Sequence, residues 1–477
     1  MSQDSVSRRD WLRGSSAAMA PLLSGAQESG ARSSRPNVLL IISDQFRADN
    51  LGCLGMNPMG LTPHLDAMGR RGVLFRSAMA SQPVCAPARA SLFTGQYVEK
   101  HEVWRNGLGI KENAVTLATT FRQAGYTANY IGKWHLSPND HTSATWGPVP
   151  PEHRGGFLDL WEAANVLEFT SHPYEGDLFD GDGKPIRFSG VYRTDFLTQR
   201  GVHFLKNAAK QPFLLVMSYL NVHHQNDVDK FIPPKEYASR YRNPFVPQDL
   251  RPLPGSWPSQ LGDYYGCVAS IDGAVGTLLQ TLEEQNLDKN TIVVFLSDHG
   301  CHFKTRNTEY KRSPHESSIH IPLVMQGPGF DRSTEVQELV SHVDVTPTLL
   351  EAAGLRVPST MQGRSFLALP DWRKEQWQSE VYIHMSEFMT GRVLRTPQWT
   401  YAVAAPKRPG WKAAPESDLY VEYMLYDLFA DPFQHVNLAG RAETREVTIE
   451  LRERLLRRIA AAGGNRPTIE PSYFPYS

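Results

Sequence analysis

The chain has 477 residues, 41% of them hydrophobic. That is enough for one large core and a smaller appended unit, because single cores stop growing at roughly 250–300 residues. Its 49 Lys and Arg against 50 Asp and Glu leave a formal net charge of -1, so no overall field favours nucleic acid or an anionic membrane, and any anion-binding site must be local.

At the N-terminus, Ser7-Arg8-Arg9-Asp10-Trp11-Leu12-Arg13 precedes a weakly apolar stretch ending in Ser24-Gly25-Ala26. The pattern is similar to a twin-arginine export signal with a cleavage region. Residues 1–26 are expected to be that signal and 27–35 a linker, so the mature protein would be exported folded by the twin-arginine machinery, to the periplasm or beyond. The stretch is too short and polar to span a bilayer. No later segment reaches the ~20 uninterrupted apolar residues of a membrane helix, so stable membrane insertion is not expected.

Four apolar runs then lead into polar residues. Val38–Ile42 runs into Ser43-Asp44-Gln45, and Tyr126–Ile131 into Gly132-Lys133-Trp134-His135. Phe213–Met217 leads through Ser218 to Asn221-Val222-His223-His224, and Ile292–Leu296 into Ser297-Asp298-His299-Gly300. Runs without alternation suit strands buried on both faces, as in a parallel sheet flanked by helices. Ligands of such sheets sit outside the carboxyl ends of the strands, so the four tips should converge on one crevice. Thr62–Gly69 and Val115–Ala124 carry helical spacing ending near Gly, and the Pro-rich stretch Asn243–Pro258 reads as a long loop. Composition turns polar and Trp-rich around Leu369–Gln378, and Glu380–Ala405 shows shorter strand-like segments. The expected division is 36–370 and 371–477, with a charged helix at Glu443–Ala462.

Four cysteines, Cys53, Cys85, Cys267 and Cys301, are too few for a disulfide scaffold and form no C-x-x-C metal pair. A lone cysteine is usually a small buried hydrophobe. Cys85 instead opens Cys85-Ala86-Pro87-Ala88-Arg89, with Thr94-Gly95 downstream. The segment resembles the signature of the type I sulfatases, of the alkaline phosphatase superfamily. That resemblance implies an α/β fold: a large mixed, mainly parallel sheet flanked by helices, with a smaller C-terminal antiparallel-sheet subdomain. Leu425–Pro432 followed by Asn437-Leu438 resembles part of that subdomain.

The resemblance further implies that a formylglycine-generating enzyme converts Cys85 to formylglycine (3-oxoalanine), an aldehyde whose hydrate is the nucleophile. One hydroxyl attacks sulfur and the second later expels sulfate. Asp44, Gln45, Asp298 and His299, with the oxygen at position 85, match the family's metal ligands. Gln45 stands where Asp is commoner and His299 where Asn is. Oxygen donors suit Ca2+, while an imidazole also suits Mn2+ or another divalent ion. Arg89 matches the arginine that steadies the diol. Gly125–His135 resembles the second sulfatase signature, with Ala128 where Ser or Thr is usual; it assigns Lys133 to sulfate and diol and His135 to the second hydroxyl's proton. His223 matches the acid toward the leaving oxygen, with Val222 in place of the usual proline and His224 as an adjacent alternative. Lys311 matches a sulfate-holding lysine, in a segment where His320 replaces a frequent arginine.

The implied activity is hydrolysis of a sulfuric ester on a sulfated carbohydrate or aryl sulfate. Two alternatives stand beside it. A phosphonate or phosphate mono/diester hydrolase would use the same site, since Asp44-Gln45 with Asp298-His299 also resembles the ligands of phosphonate monoester hydrolases. A non-catalytic glycan-binding protein would have no use for Cys85, Arg89, Lys133, His135, His223 and Lys311 together. Trp104, Arg105, Asn106, His224, His302 and Arg306 are candidates for reading sugar hydroxyls or carboxylates, or for loop packing.

Overall fold

The computed structural model of the protein describes residues 35–477 except 141, 208–211, 370–376, 378, 408–411 and 473–477. The export signal and most of the linker therefore lie outside the described residues, as does the expected division at 370/371. The four apolar runs are strands: Asn37–Ser43, Thr127–Lys133, Phe213–Tyr219 and Thr291–Ser297. They lie side by side and parallel, Thr291–Ser297 next to Asn37–Ser43, then Phe213–Tyr219, then Thr127–Lys133. Alternate residues feed two cores. Val38, Leu40 and Ile42 join Leu214, Val216, Ile292 and Val294 on one face, while Leu39 and Ile41 join Leu215, Met217, Val293 and Phe295 on the other. A strand apolar at every position is what a sheet covered on both sides requires.

Helices supply that cover. Cys85–Thr94, Leu117–Gln123 and His342–Ala352 pack on the first face; Pro63–Arg71, Arg193–Asn207 and Trp257–Glu284 pack on the second. Leu323–Gln326 pairs antiparallel with Thr291–Ser297, and further strands at both edges complete an 11-stranded mixed sheet. The Pro-rich stretch stays loop until Trp257 begins its helix. Register brings the tips level, because Ser43 pairs with both Tyr219 and Ser297. Gly132 permits the close approach of its strand to the next: with φ at 113°, a Cβ there would lie 2.0 Å from the Ser218 carbonyl oxygen.

A second sheet runs Val381–Met385, Gly391–Arg395, Trp399–Ala404 and Leu419–Asp427, each pair antiparallel. Its fifth strand, Thr468–Glu470, departs from the antiparallel expectation by pairing parallel with Leu419–Asp427. The helix Arg445–Ala462 crosses over between those two strands, and a parallel pair needs such a crossover. That helix buries Leu451, Leu455, Leu456 and Ile459 against Tyr382, Leu394, Tyr401 and Val403. The alternate residues Val381, Ile383, Met385, Val393 and Ala402 face Met79, Ile319 and Leu339. From residue 35 on, the described residues accordingly form one unit. Among the described residues, no helix is long and apolar enough to cross a membrane. All four cysteines are free thiols.

Candidate active site

Cys85 is the first residue of a helix whose ten side chains are all buried, which Ala86, Ala88 and Ala90 make possible by their size. Gly95 ends it in the left-handed conformation at φ 63°, donating its N–H to the Ser91 carbonyl, so the downstream Thr-Gly of the motif is a helix stop. The Ala86 amide, one of the unpaired donors of a helix start, donates to Asn106 Oδ1 at 3.1 Å.

One turn on, Arg89 lies fully buried beneath Cys85. Its Nε donates to Asp298 Oδ2 at 3.1 Å and one Nη to Asp44 Oδ2 at 3.3 Å. The other Nη donates to Ser218 Oγ at 2.7 Å and the Lys133 carbonyl at 3.2 Å. All four parallel strands' ends are thus tied through one guanidinium. Asp298 is held further by the backbone amides of Gln45 and His299, at 3.1 and 2.9 Å to Oδ1.

Two lysines flank the sulfur. Lys133 Nζ donates to Asp44 Oδ2 at 2.7 Å and to Glu168 Oε1 at 2.9 Å, and lies 3.8 Å from Cys85 Sγ. Lys311 Nζ is 2.9 Å from Sγ, 3.1 Å from His299 Nε2 and 3.3 Å from His223 Nε2. His223 donates its Nδ1–H to the His224 carbonyl at 2.7 Å, leaving Nε2 as the acceptor facing Lys311. Three carboxylates (Asp44, Asp298, Glu168) and three cations (Arg89, Lys133, Lys311) balance here. A divalent cation added to that set leaves net positive charge to meet an anion.

The electrostatics follow from burial and these neighbours. Burial raises Asp44, but Lys133, Lys311 and Arg89 outweigh it and hold the carboxyl well below its ordinary range. Asp298 is raised by burial and by Asp44, despite His299 and Arg89. Burial and Asp44 push the Cys85 thiol up, yet Lys133, Lys311 and His299 bring it well below its ordinary value. Burial, with Lys311 beside it, keeps His223 neutral well below the usual imidazole range. The two lysines thus favour an anion at position 85.

The residues fit a divalent cation. One ligand atom each from Asp44, Cys85, Asp298 and His299 lies within 4.8 Å of all the others, and all four residues are buried. His299 donates Nδ1–H to the Gly300 carbonyl at 3.0 Å, which leaves Nε2 as a lone-pair donor toward the cluster. Gln45, at φ 65°, has its Oε1 buried without a hydrogen-bond partner among the described residues. An orphaned, buried carbonyl oxygen is a donor that a hard cation takes, and the Gln45 backbone N–H already meets Asp298.

His135 is buried at φ 64°, its amide donating to the Asn165 carbonyl at 2.7 Å, with Nδ1 unpartnered among the described residues. It lies close enough to Glu168 to help hold that carboxyl low; burial opposes this, and Lys133 is the stronger influence. Of the substrate candidates, Trp104 and Arg105 are half-buried, the Arg105 guanidinium 5.5 Å from the Trp104 ring centre. His224 stacks on His223 and Tyr310, at 4.4 and 4.2 Å between ring centres. Asn106 is committed to Ala86, His302 is fully buried with Nε2 3.0 Å from the Lys311 carbonyl, and Arg306 donates to the Phe433 and Gln434 carbonyls. Glu168 escaped the sequence reading. It sits in a four-residue helix, Leu167–Thr170, with no motif around it, and only the need of a buried Lys133 for a second carboxylate could have pointed to it.

The family profile described as "Sulfatase" matches residues 36–355, and one described as "N-sulphoglucosamine sulphohydrolase, C-terminal" matches residues 308–461. The ulvan-active sulfatase of Formosa agariphila is 30% identical over 452 residues, covering 90% of this chain and 82% of that protein. A structure solved with its substrate D-glucosamine-2-N,6-O-disulfate superposes with a TM-score of 0.73 at 22% identity, over 91% of this chain and 99% of that one. The phosphonate monoester hydrolase of Agrobacterium radiobacter does so at 0.68 and 23%, over 90% and 96%. At these identities the two structures speak for the fold alone. The profile match across the catalytic sheet and the relative spanning nine-tenths of the chain carry the conclusion: the chain belongs to the sulfatase family of the alkaline phosphatase superfamily and is a sulfuric ester hydrolase.

Proposed function

We propose that the enzyme removes sulfate from sulfated carbohydrates, using formylglycine formed from Cys85 by a formylglycine-generating enzyme and a divalent cation, Ca2+ first among candidates. Asp44, Gln45, Asp298 and His299 would hold the cation. The observation that carries this reading is the gathering of Lys133, Lys311 and His299 around Cys85 Sγ, with His223 against Lys311, over a floor of Asp44, Arg89 and Asp298. When present, the hydrated aldehyde supplies the nucleophile and the cation lowers its pKa and draws charge from the ester oxygens.

The chain's own residues do the rest. Arg89 keeps both ligand carboxylates aimed and prevents their mutual repulsion from opening the floor. Lys133 and Lys311 present ammonium donors on either hand of position 85, where charge on sulfate oxygens grows in the transition state. His223 Nε2 is the proton carrier toward the leaving oxygen, with Lys311 Nζ in hydrogen-bond contact at 3.3 Å to orient the ring. His135 serves as base toward position 85, with Glu168 nearby. Burial of the whole cluster excludes water and strengthens each of these interactions. Trp104, Arg105 and His224 offer a ring face, a guanidinium and an imidazole to a sugar, and residues 1–26 direct export of the modified, folded enzyme. A phosphonate monoester hydrolase is the second reading, favoured by Gln45 and His299 in the ligand set. Relative kcat/KM on matched aryl sulfate and aryl phosphonate esters, followed by a panel of sulfated mono- and oligosaccharides, decides between them. Preference for sulfate supports the proposal; preference for the phosphonate overturns it.

A further inference from the structure

We propose that Glu387, contributed by the C-terminal sheet, is a positioning residue for sulfate-ester cleavage, fixing both the start of the Cys85 helix and the segment that carries Lys311. The inference rests on the reading of Cys85 and Lys311 as groups at the reaction centre. Glu387 lies in the turn between strands Val381–Met385 and Gly391–Arg395. Its Oε1 accepts the Asn106 backbone N–H at 2.7 Å, and its Oε2 accepts Arg312 Nε at 2.5 Å. Each contact is one step from the chemistry. Asn106 Oδ1 holds the Ala86 amide, adjacent to Cys85, and Arg312 is peptide-bonded to Lys311, whose Nζ is 2.9 Å from Sγ.

Several features show that the contact is built rather than incidental. Arg312 and Glu387 both have left-handed backbones, at φ 69° and 62°, which non-glycine residues keep only where their surroundings fix them. The pair is mostly shielded, its side chains 16% and 19% exposed, whereas Glu309, the other carboxylate on Arg312, is 48% exposed and so contributes less. The turn and the strand before it are each anchored once more to the approach of the Cys85 helix: Gln82 Nε2 donates to Ser386 Oγ in the turn, and the His384 amide in the strand donates to the Ser81 carbonyl at 3.0 Å. Glu387 also neutralises Arg312, leaving Lys311 without a competing cation next to it in sequence. The C-terminal sheet thereby enters the site through one carboxylate that never touches the reacting atoms.

The test compares Glu387→Ala, Glu387→Gln, Arg312→Ala and the Glu387→Ala/Arg312→Ala double variant. It uses the full chain and measures sulfate-ester kinetics, metal content and hydrogen exchange. Glu387→Ala should lower kcat by about 10²-fold, the scale on which a small misplacement of reacting groups is felt, with KM little changed. Arg312→Ala should lose a similar factor, and the double variant no more than the larger single loss. Glu387→Gln keeps an acceptor for Asn106 and should recover part of the rate. Amides in peptides covering 85–94 and 308–316 should exchange faster in Glu387→Ala, while strands Trp399–Ala404 and Leu419–Asp427 exchange as before. If the alanine variant does not fold, Glu387→Gln carries the exchange comparison. Unchanged exchange in both segments, independent losses in the double variant, or a loss confined to KM overturns the proposal. Wild-type protein that cleaves no sulfate ester would instead overturn the proposed function, and the exchange data would still decide what Glu387 holds.

Discussion

Arg89 is the residue on which the site's geometry turns. A fully buried guanidinium is tolerated only when paired and hydrogen-bonded, and Arg89 meets Asp44, Asp298, Ser218 and the Lys133 carbonyl. Removing one partner of such a set leaves uncompensated buried charge. Arg89→Ala is expected to cost about 3–5 kcal/mol of stability, read by denaturant unfolding. Asp44→Asn and Asp298→Asn remove ligand charge instead. Each should lose bound metal, measured by atomic emission, and lower turnover by several kcal/mol of barrier, about 10³-fold. Metal-free protein with undiminished rate would exclude the metal reading. His223→Ala should slow alkyl or sugar sulfates by about 10²–10⁴-fold and nitrophenyl sulfate far less, because a nitrophenolate leaves without protonation. Equal losses on both esters would remove His223 from the acid role. These side chains could be read in sequence because each follows an apolar run or sits within a dense motif. Glu168 and Glu387 could not, since their partners Lys133 and Arg312 lie 35 and 75 positions away and no local pattern announces either carboxylate.

At the scale of elements, the runs Val38–Ile42 and Ile292–Leu296 lacked alternation because both faces are packed, and that made the parallel strands legible. The edge strands are short and half-exposed and carry no such signal. Nor did composition foretell that Thr468–Glu470 would pair parallel, since strand direction follows from the crossover helix. The short helix Val98–His101, just beyond the Cys85 helix, provides a test through pH. His101 Nδ1 accepts the Val103 amide at 3.0 Å, and its Nε2 lies 3.0 Å from Ser91 Oγ, so the ring is neutral and Nε2 donates. Burial, outweighing nearby Glu99, pushes it from 6.5 down to about 3. Between those values the unfolded chain binds a proton that the folded protein refuses, so stability rises with pH across the window. The contribution is fully present above about 6.5 and is lost progressively as pH falls toward 3. His101→Gln should therefore be less stable at pH 7 by about 1–3 kcal/mol, yet show a shallower loss on acidification, followed by urea unfolding across that range. Parallel slopes for the two proteins would show that His101 does not titrate as described.

For the whole molecule, the C-terminal sheet is a structural partner of the catalytic sheet on both counts that matter. Its apolar face of Val381, Ile383 and Met385 covers Met79 and Ile319, and its first turn reaches the Cys85 and Lys311 segments through Glu387. The smaller C-terminal sheet was legible in the short strand-like segments from Glu380 to Ala405, but its reach into the site depends on tertiary contacts that no spacing encodes. The sugar is unread for a related reason: Trp104, Arg105 and His224 are residue types that suit many glycans, and shape rather than identity selects among them. The chemical state of position 85 decides whether the proposed chemistry takes place. Peptide mass spectrometry of enzyme actively releasing sulfate from a sulfated sugar should find residue 85 as the aldehyde or its hydrate, with Cys85→Ser turning over poorly. Full activity in protein whose Cys85 is an unmodified thiol would contradict it.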